Sequence, residues 1–189
     1  MTNAVLTGKV HIGKTTVCRA VADLVRERGY CVRGILTPPI LDKNSVRLGI
    51  EVVDLASGER QVLARRSGPD VGQARLEGDF TGPRVGPYHF NPMALQWGQD
   101  VVARAIAVGC DLLVVDEIGR LELERNEGFD HVLDLLETSI VLRSLLVVRA
   151  TLLDTFRRRL PELEFIIFEV TEDNRHTLPF EITQRFFLA

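Results

Sequence analysis

A chain of 189 residues, 46% hydrophobic and 26% charged, is long enough to bury one sizeable core. A net charge of −3 leaves no strong electrostatic footprint for nucleic acid, and no apolar run approaches the ~20 residues that cross a membrane. Cys18, Cys31 and Cys110 are odd in number and widely spaced, with no C-x-x-C and no matching His pair. They are expected to be free thiols in a reducing cytoplasm, not a disulfide framework or a metal site. One domain over residues 1–189, with no leader ahead of it, is the expected organisation.

Ala4-Val5-Leu6 reads as a buried strand. Gly8-Lys9-Val10-His11-Ile12-Gly13-Lys14-Thr15, followed by Thr16, then matches the phosphate-binding pattern G-x-x-x-x-G-K-[ST]. A triphosphate carries several negative charges and must be held by many donors at once. Glycine lets successive backbone N–H groups turn inward, and the helix that follows offers its free N–H groups and positive dipole end. Lys14 is placed as a point charge for the β- and γ-phosphates, the Thr15 hydroxyl for Mg²⁺, and Thr16 for the α-phosphate. Val17, Ala20, Val21, Leu24 and Val25 share one helical face, and Gly29 stops the helix.

Val32 to Thr37 is an extended run broken by Pro38-Pro39. Val46 to Leu55 alternates as a strand, Ser57-Gly58 turns, and Gln61 to Ala64 returns as its hairpin partner. Ser67 to Pro87 is rich in glycine and proline and carries Arg75 and Arg84. A loop this long is functional or mobile in a compact domain. It reads either as a flap near the phosphates, with an arginine for transition-state charge, or as a solvated surface loop. Tyr88-His89-Phe90 is a short strand. Asn91 caps a helix with Pro92 at its first position, running to about Val108 and ended by Gly109.

Leu112 to Val115 is a central parallel strand covered on both faces, with Asp116 and Glu117 at its carboxyl end. Open α/β sheets bind ligands there. A helix is expected over Asn126–Thr138, a buried strand over Leu142–Val148, a short helix over Thr151–Leu160 and a last core strand over Phe165–Val170. A final helix begins at Asn174 or Thr177. The alternation predicts an α/β fold: a mostly parallel sheet flanked by helices, with antiparallel strands added at one edge.

Asp116 occupies the position of an acid that holds Mg²⁺ in phosphate-loop enzymes, and Glu117 beside it can orient and deprotonate an attacking water. Arg120 is expected to pair with a neighbouring acid. Asn174 and Arg175 follow the last strand, where a nucleobase lies in related folds; the alternative is a capping Asn174 and a surface Arg175. His89, His131 and His176 are scattered, and His11 matters as a member of the loop.

These blocks together resemble the small phosphate-loop nucleoside-triphosphatase family of thermophilic prokaryotes and animals, the cancer-related nucleoside-triphosphatase family. The resemblance runs over nearly the whole chain. It is carried by Thr7 to Thr16, Gly34-Ile35-Leu36-Thr37-Pro38, Val53 to Gly58, Gly82 to Tyr88, Val115-Asp116-Glu117-Ile118-Gly119-Arg120-Leu121-Glu122-Leu123 and Phe168 to Arg175. It implies a RecA-like fold and slow, Mg²⁺-dependent hydrolysis of ATP, GTP and other nucleoside triphosphates. By position it places Gly8 to Thr16 on the phosphates, Asp116 on Mg²⁺ with Thr15, and Glu117 as the catalytic carboxylate.

Two departures stand out. The family loop usually has glycine where His11 stands, so His11 must accept the loop's dihedrals. The family also tends to carry a basic residue at the position of Pro87 and a His-Arg pair near Val148-Arg149. The expected function is a nucleoside triphosphatase, with Lys14 and Glu117 at the chemistry and Arg84 a candidate for transition-state charge. The protein partner is unspecified. The same loop and Asp116 would also serve a kinase of a small molecule or nucleic-acid end, or a nucleotide-binding switch with little turnover.

Overall fold

The computed structural model describes residues 2–71, 76–138 and 143–187. Gly72 and Arg75 of the Gly/Pro-rich segment, and Leu142 of the expected strand, lie outside the described residues. Strand β1 (Thr2–Gly8) leads into helix α1 (Lys14–Glu27), followed by strands β2 (Val32–Leu36), β3 (Pro39–Leu41), β4 (Arg47–Asp54) and β5 (Arg60–Arg66). Strands β6 (Arg84–Val85) and β7 (Tyr88–Phe90) precede helix α2 (Pro92–Val108) and strand β8 (Leu112–Ile118). Helices α3 (Arg120–Arg125) and α4 (Asp130–Thr138), strand β9 (Arg143–Val148), helix α5 (Leu153–Arg159), strand β10 (Phe165–Val170) and helix α6 (Leu178–Phe187) complete the chain.

The strands form one sheet in the order β10-β1-β9-β8-β2-β4-β5-β7-β6, with β3 pairing only β4. From β10 to β2 every pairing is parallel. From β4 outward every pairing is antiparallel. The mostly parallel sheet with an antiparallel extension at one edge is as expected from the sequence. The β4–β5 hairpin and the β7 strand match their expected positions.

The continuous apolar run of β8 is explained by burial on both faces. Leu112 and Val114 join Ala4 and Leu6 of β1 against α1 and α6. Leu113 and Val115 join Val5 against α2, α4 and α5. The sheet is thus covered by apolar packing on both faces along these strands.

The helix expected over Asn126–Thr138 is present but starts later, as α4 at Asp130, and a short helix the sequence did not suggest, α3, precedes it over Arg120–Arg125. Asn126 adopts a left-handed conformation at φ 52° and Gly128 at φ 67°, and neither continues an α-helix. Glu122 binds the junction from inside: its carboxylate accepts the Gly119 N–H at 2.8 Å and the Phe129 N–H at 2.9 Å. Arg120 pairs with Glu124 on α3 at 3.8 Å, the local role expected of it.

The direction of the parallel strands positions the site. The carboxyl ends of β1, β8, β9 and β2 converge, and β9 lies between β1 and β8. Whatever follows β9 is therefore delivered between the phosphate-type loop and the Asp116-Glu117 pair.

The start of α2 gives a direct test of local stability. Asn91 Oδ1 accepts N–H groups of Met93 at 2.9 Å and Ala94 at 3.2 Å. Asn91→Ala should lower unfolding stability by about 1 kcal/mol, and Asn91→Asp by much less, as read by urea denaturation.

Candidate active site

The Gly8–Thr15 loop owes its shape to backbone that few residues tolerate. Gly8 has φ +137°, and a Cβ there would stand 2.7 Å from the Val170 carbonyl. Gly13 has φ +107°. His11 stands at φ 67°, in the left-handed region that glycine adopts without strain. The loop's path is thus kept with histidine in place. Gly13 caps α1 without a side chain, so the first N–H groups of the helix face the loop. Lys14 lies across the loop and donates to the carbonyls of Gly8 at 3.1 Å and Lys9 at 2.8 Å.

Asp116 is 1% exposed. It accepts the Thr37 N–H at 3.1 Å and a hydrogen bond from the Thr15 hydroxyl. Burial pushes its carboxyl up to about 6, and the neighbouring Glu117 charge adds to this, while the bonds from Thr37 and Thr15 pull the other way. Glu117 forms an ion pair with Arg149, the residue immediately after β9. Pairing of β8 with β9 shifts register between Val115 and Ile118, which frees the backbone around both carboxylates from the regular ladder.

A cleft of about 220 Å³ collects Lys14, Thr15, Asp116 and Glu117 with Arg47 and Arg149. Its three cations, Lys14, Arg47 and Arg149, outnumber its two carboxylates. Burial lowers the His11 pKa, and the charges of Arg47, Lys14 and Arg149 add to this while Glu117 opposes. Burial likewise lowers the Lys14 pKa, with Glu117 and Asp116 opposing. Thr15 and Asp116 supply only oxygen donors and already touch. That set suits a hard cation such as Mg²⁺, which takes few protein ligands and completes its shell with phosphate and water oxygens.

The sequence-derived residues divide clearly. Gly8, Lys9, Val10, His11, Ile12, Gly13, Lys14, Thr15 and Thr16 form the loop and the first turn of α1, and Asp116 and Glu117 face it across the cleft. Arg84 does not join them. It is exposed on β6, its Nε donates to the Gly86 carbonyl at 3.2 Å, and its own carbonyl accepts from Arg125 at 3.0 Å. Asn174 closes the turn after β10: its Oδ1 accepts the Thr171 N–H and its Nδ2 donates to the Glu169 carbonyl, both at 2.8 Å. Arg175 is exposed beside His176, and neither it nor Asn174 lines the cleft. The helix after this turn begins at Leu178.

Sequence reasoning missed three cleft residues. Arg149 carried a usable signal, since it directly follows a buried parallel strand, where ligands bind. Thr37 follows β2 in the same way, but its contribution is a backbone N–H, which no residue type announces. Arg47 enters from the antiparallel β4, with its Nη1 3.5 Å from the Tyr88 hydroxyl, and nothing in the local sequence aims it at the cleft.

Two measurements follow from this geometry. The free carboxyl of Asp titrates near 4 in an unfolded chain and at about 6 in Asp116, so the folded state binds that proton more tightly. The associated stability is complete below pH ~4 and is lost as pH rises through ~6, to the extent of about 2–3 kcal/mol. Urea unfolding of the metal-free protein between pH 4 and 7 should show this decline relative to Asp116→Asn, which lacks it. His11→Gly relieves the left-handed strain and should raise stability by about 0.5–1 kcal/mol in the same assay.

Comparison with known proteins agrees with this arrangement. The family model described as NTPase matches residues 3–183. The nucleoside-triphosphatase THEP1 of Methanosarcina acetivorans is 33% identical over 98% of this chain and 97% of its own length. That of Methanopyrus kandleri is 39% identical over 69% of this chain, and the match spans 64% of the archaeal protein. The solution structure of a human cancer-related nucleoside triphosphatase superposes with a TM-score of 0.73, at 24% identity, over 100% of this chain and 99% of that one; this likeness speaks for the fold. With a phosphate loop, a buried acid facing it and a family match over nearly its full length, the chain belongs to the NTPase family.

Proposed function

We propose that this chain hydrolyses nucleoside 5′-triphosphates, ATP and GTP among them, to the diphosphate and phosphate in a slow, Mg²⁺-dependent reaction. One observation carries the reading: Lys14 and Thr15 of the loop and Asp116 and Glu117 of β8 line one cleft. The loop's inward N–H groups and the start of α1 hold the phosphates. Lys14 exchanges two neutral carbonyl acceptors for charged phosphate oxygens, which make shorter and stronger bonds.

Thr15 and Asp116 are the ligands that would hold Mg²⁺, and the ion when bound neutralises charge on the β- and γ-phosphate oxygens. Thr37 keeps the Asp116 carboxylate in place through its N–H. Glu117 takes the proton of the attacking water. For that its carboxylate must be released from Arg149. A γ-phosphate at the cleft competes for the guanidinium, so one movement of Arg149 supplies transition-state charge and frees the base. Arg149 thus takes the role first considered for Arg84.

The base side supports a broad preference. Both ends of the Asn174 amide are committed to backbone and so cannot read a base edge. A reducing cytoplasm suits the free thiols of Cys18, Cys31 and Cys110.

Phosphate release from ATP, GTP, CTP and UTP tests the reading. Glu117→Gln should lower turnover by about 10²–10⁴ with nucleotide still bound. Arg149→Ala should lower it by about 10²–10³. Wild-type turnover by Glu117→Gln with unchanged binding would refute the assignment of the base.

A further inference from the structure

A second cavity, of about 70 Å³, adjoins the phosphate cleft. The two share Thr37, Ile50, Glu117 and Arg149. None of the residues proposed for phosphate and Mg²⁺, namely Lys14, Thr15 and Asp116, lines the second cavity. It therefore meets the chemistry only at Glu117 and Arg149, the end of the cleft where a γ-phosphate is attacked.

Most of the rest of its wall is apolar and comes from other parts of the fold, with Gly119, Arg120 and Glu122 completing it. Leu63 of β5, Val85 of β6, Phe90 of β7, Leu121 of α3 and Phe129 form it, with Tyr88 beside them. Hydrolysis requires one water next to Glu117. A water needs about 10–15 Å³ on this measure, so the cavity has room for roughly five. An apolar wall around that much space serves no purpose in activating a single water. It suits a solute that brings its own apolar surface.

We propose that this cavity seats a phosphoryl acceptor, a compact uncharged alcohol with an apolar or aromatic body. The hydroxyl lies at the shared end and the body lies against Leu63, Phe90 and Phe129. The body is uncharged because the two further charged side chains of the wall already have partners: the Glu122 carboxylate accepts the Gly119 and Phe129 N–H groups, and Arg120 is paired with Glu124, so an ion there would lose its hydration uncompensated.

The step balances without a further reagent. The hydroxyl proton passes to the Glu117 carboxylate, and the acceptor oxygen bonds to the γ-phosphorus. The bond from that phosphorus to the β–γ bridging oxygen breaks, and its electron pair leaves with the nucleoside diphosphate. A phosphate monoester replaces free phosphate as the second product. This inference rests on the role proposed for Glu117, and hydrolysis is the same step with water as acceptor.

The test uses the full chain with Mg·ATP and benzyl alcohol as the probe, with glycerol as a polar comparison. ADP and free phosphate are measured separately, and phosphorus NMR identifies any ester. With benzyl alcohol, ADP formation should exceed phosphate release, and the difference should appear as benzyl phosphate; glycerol should leave the two equal. Val85→Phe, which fills the cavity, should keep hydrolysis and lose the ester. Equal ADP and phosphate in benzyl alcohol, with or without inhibition, would overturn the acceptor site while leaving the hydrolytic reading intact. Absence of ADP under every condition would overturn both.

Discussion

A carboxylate as buried as Asp116 persists in a protein only with partners, and the cleft is assembled from those partners. Thr37 reaches it from the end of β2, Thr15 from the start of α1, and Lys14 sets a positive charge close by. Each arrives because the parallel strands point their carboxyl ends the same way. The cost of burying Asp116 is part of what makes the site useful. Burial pushes its carboxyl up to about 6, so a cation at the position proposed for Mg²⁺ would relieve that cost.

The ion pair of Glu117 with Arg149 is the second constraint. The interposition of β9 between β1 and β8 makes it possible, because Arg149 leaves β9 just where Glu117 leaves the regular ladder of β8. A base held by a cation is a poor base. In the proposed reaction, release of Glu117 on arrival of a more highly charged anion would tie proton abstraction to the presence of the substrate.

Much of this was legible in the chain. The loop showed because its chemistry demands glycine, lysine and threonine at fixed spacing, and Asp116 and Glu117 showed because two acids end an otherwise apolar run. Asn91 and Pro92 announced the start of α2 through capping rules that act locally. The failures have physical reasons too. The helix expected from Asn126 starts only at Asp130, because Asn126 and Gly128 are left-handed and Glu122 ties the preceding turn through bonds to Gly119 and Phe129 that depend on the tertiary fold. Arg84 attracted interest by lying in a Gly/Pro-rich segment, yet its guanidinium is turned onto the Gly86 carbonyl. Arg47 and Thr37 act through the sheet's register and a backbone group, and neither leaves a mark in local sequence. The antiparallel extension was foreseen as an edge, whereas the apolar cavity it builds beside Glu117 appears only when β5, β6 and β7 meet α3.

The central claim is that a triphosphate takes Arg149 from Glu117. A crystal structure with Mg²⁺ and a non-hydrolysable ATP analogue tests it most directly. The account predicts the Arg149 guanidinium on a γ-phosphate oxygen and the Glu117 carboxylate turned to a water in line with the γ-phosphorus. Arg149 still paired with Glu117, and no contact from it to the phosphates, would contradict the account.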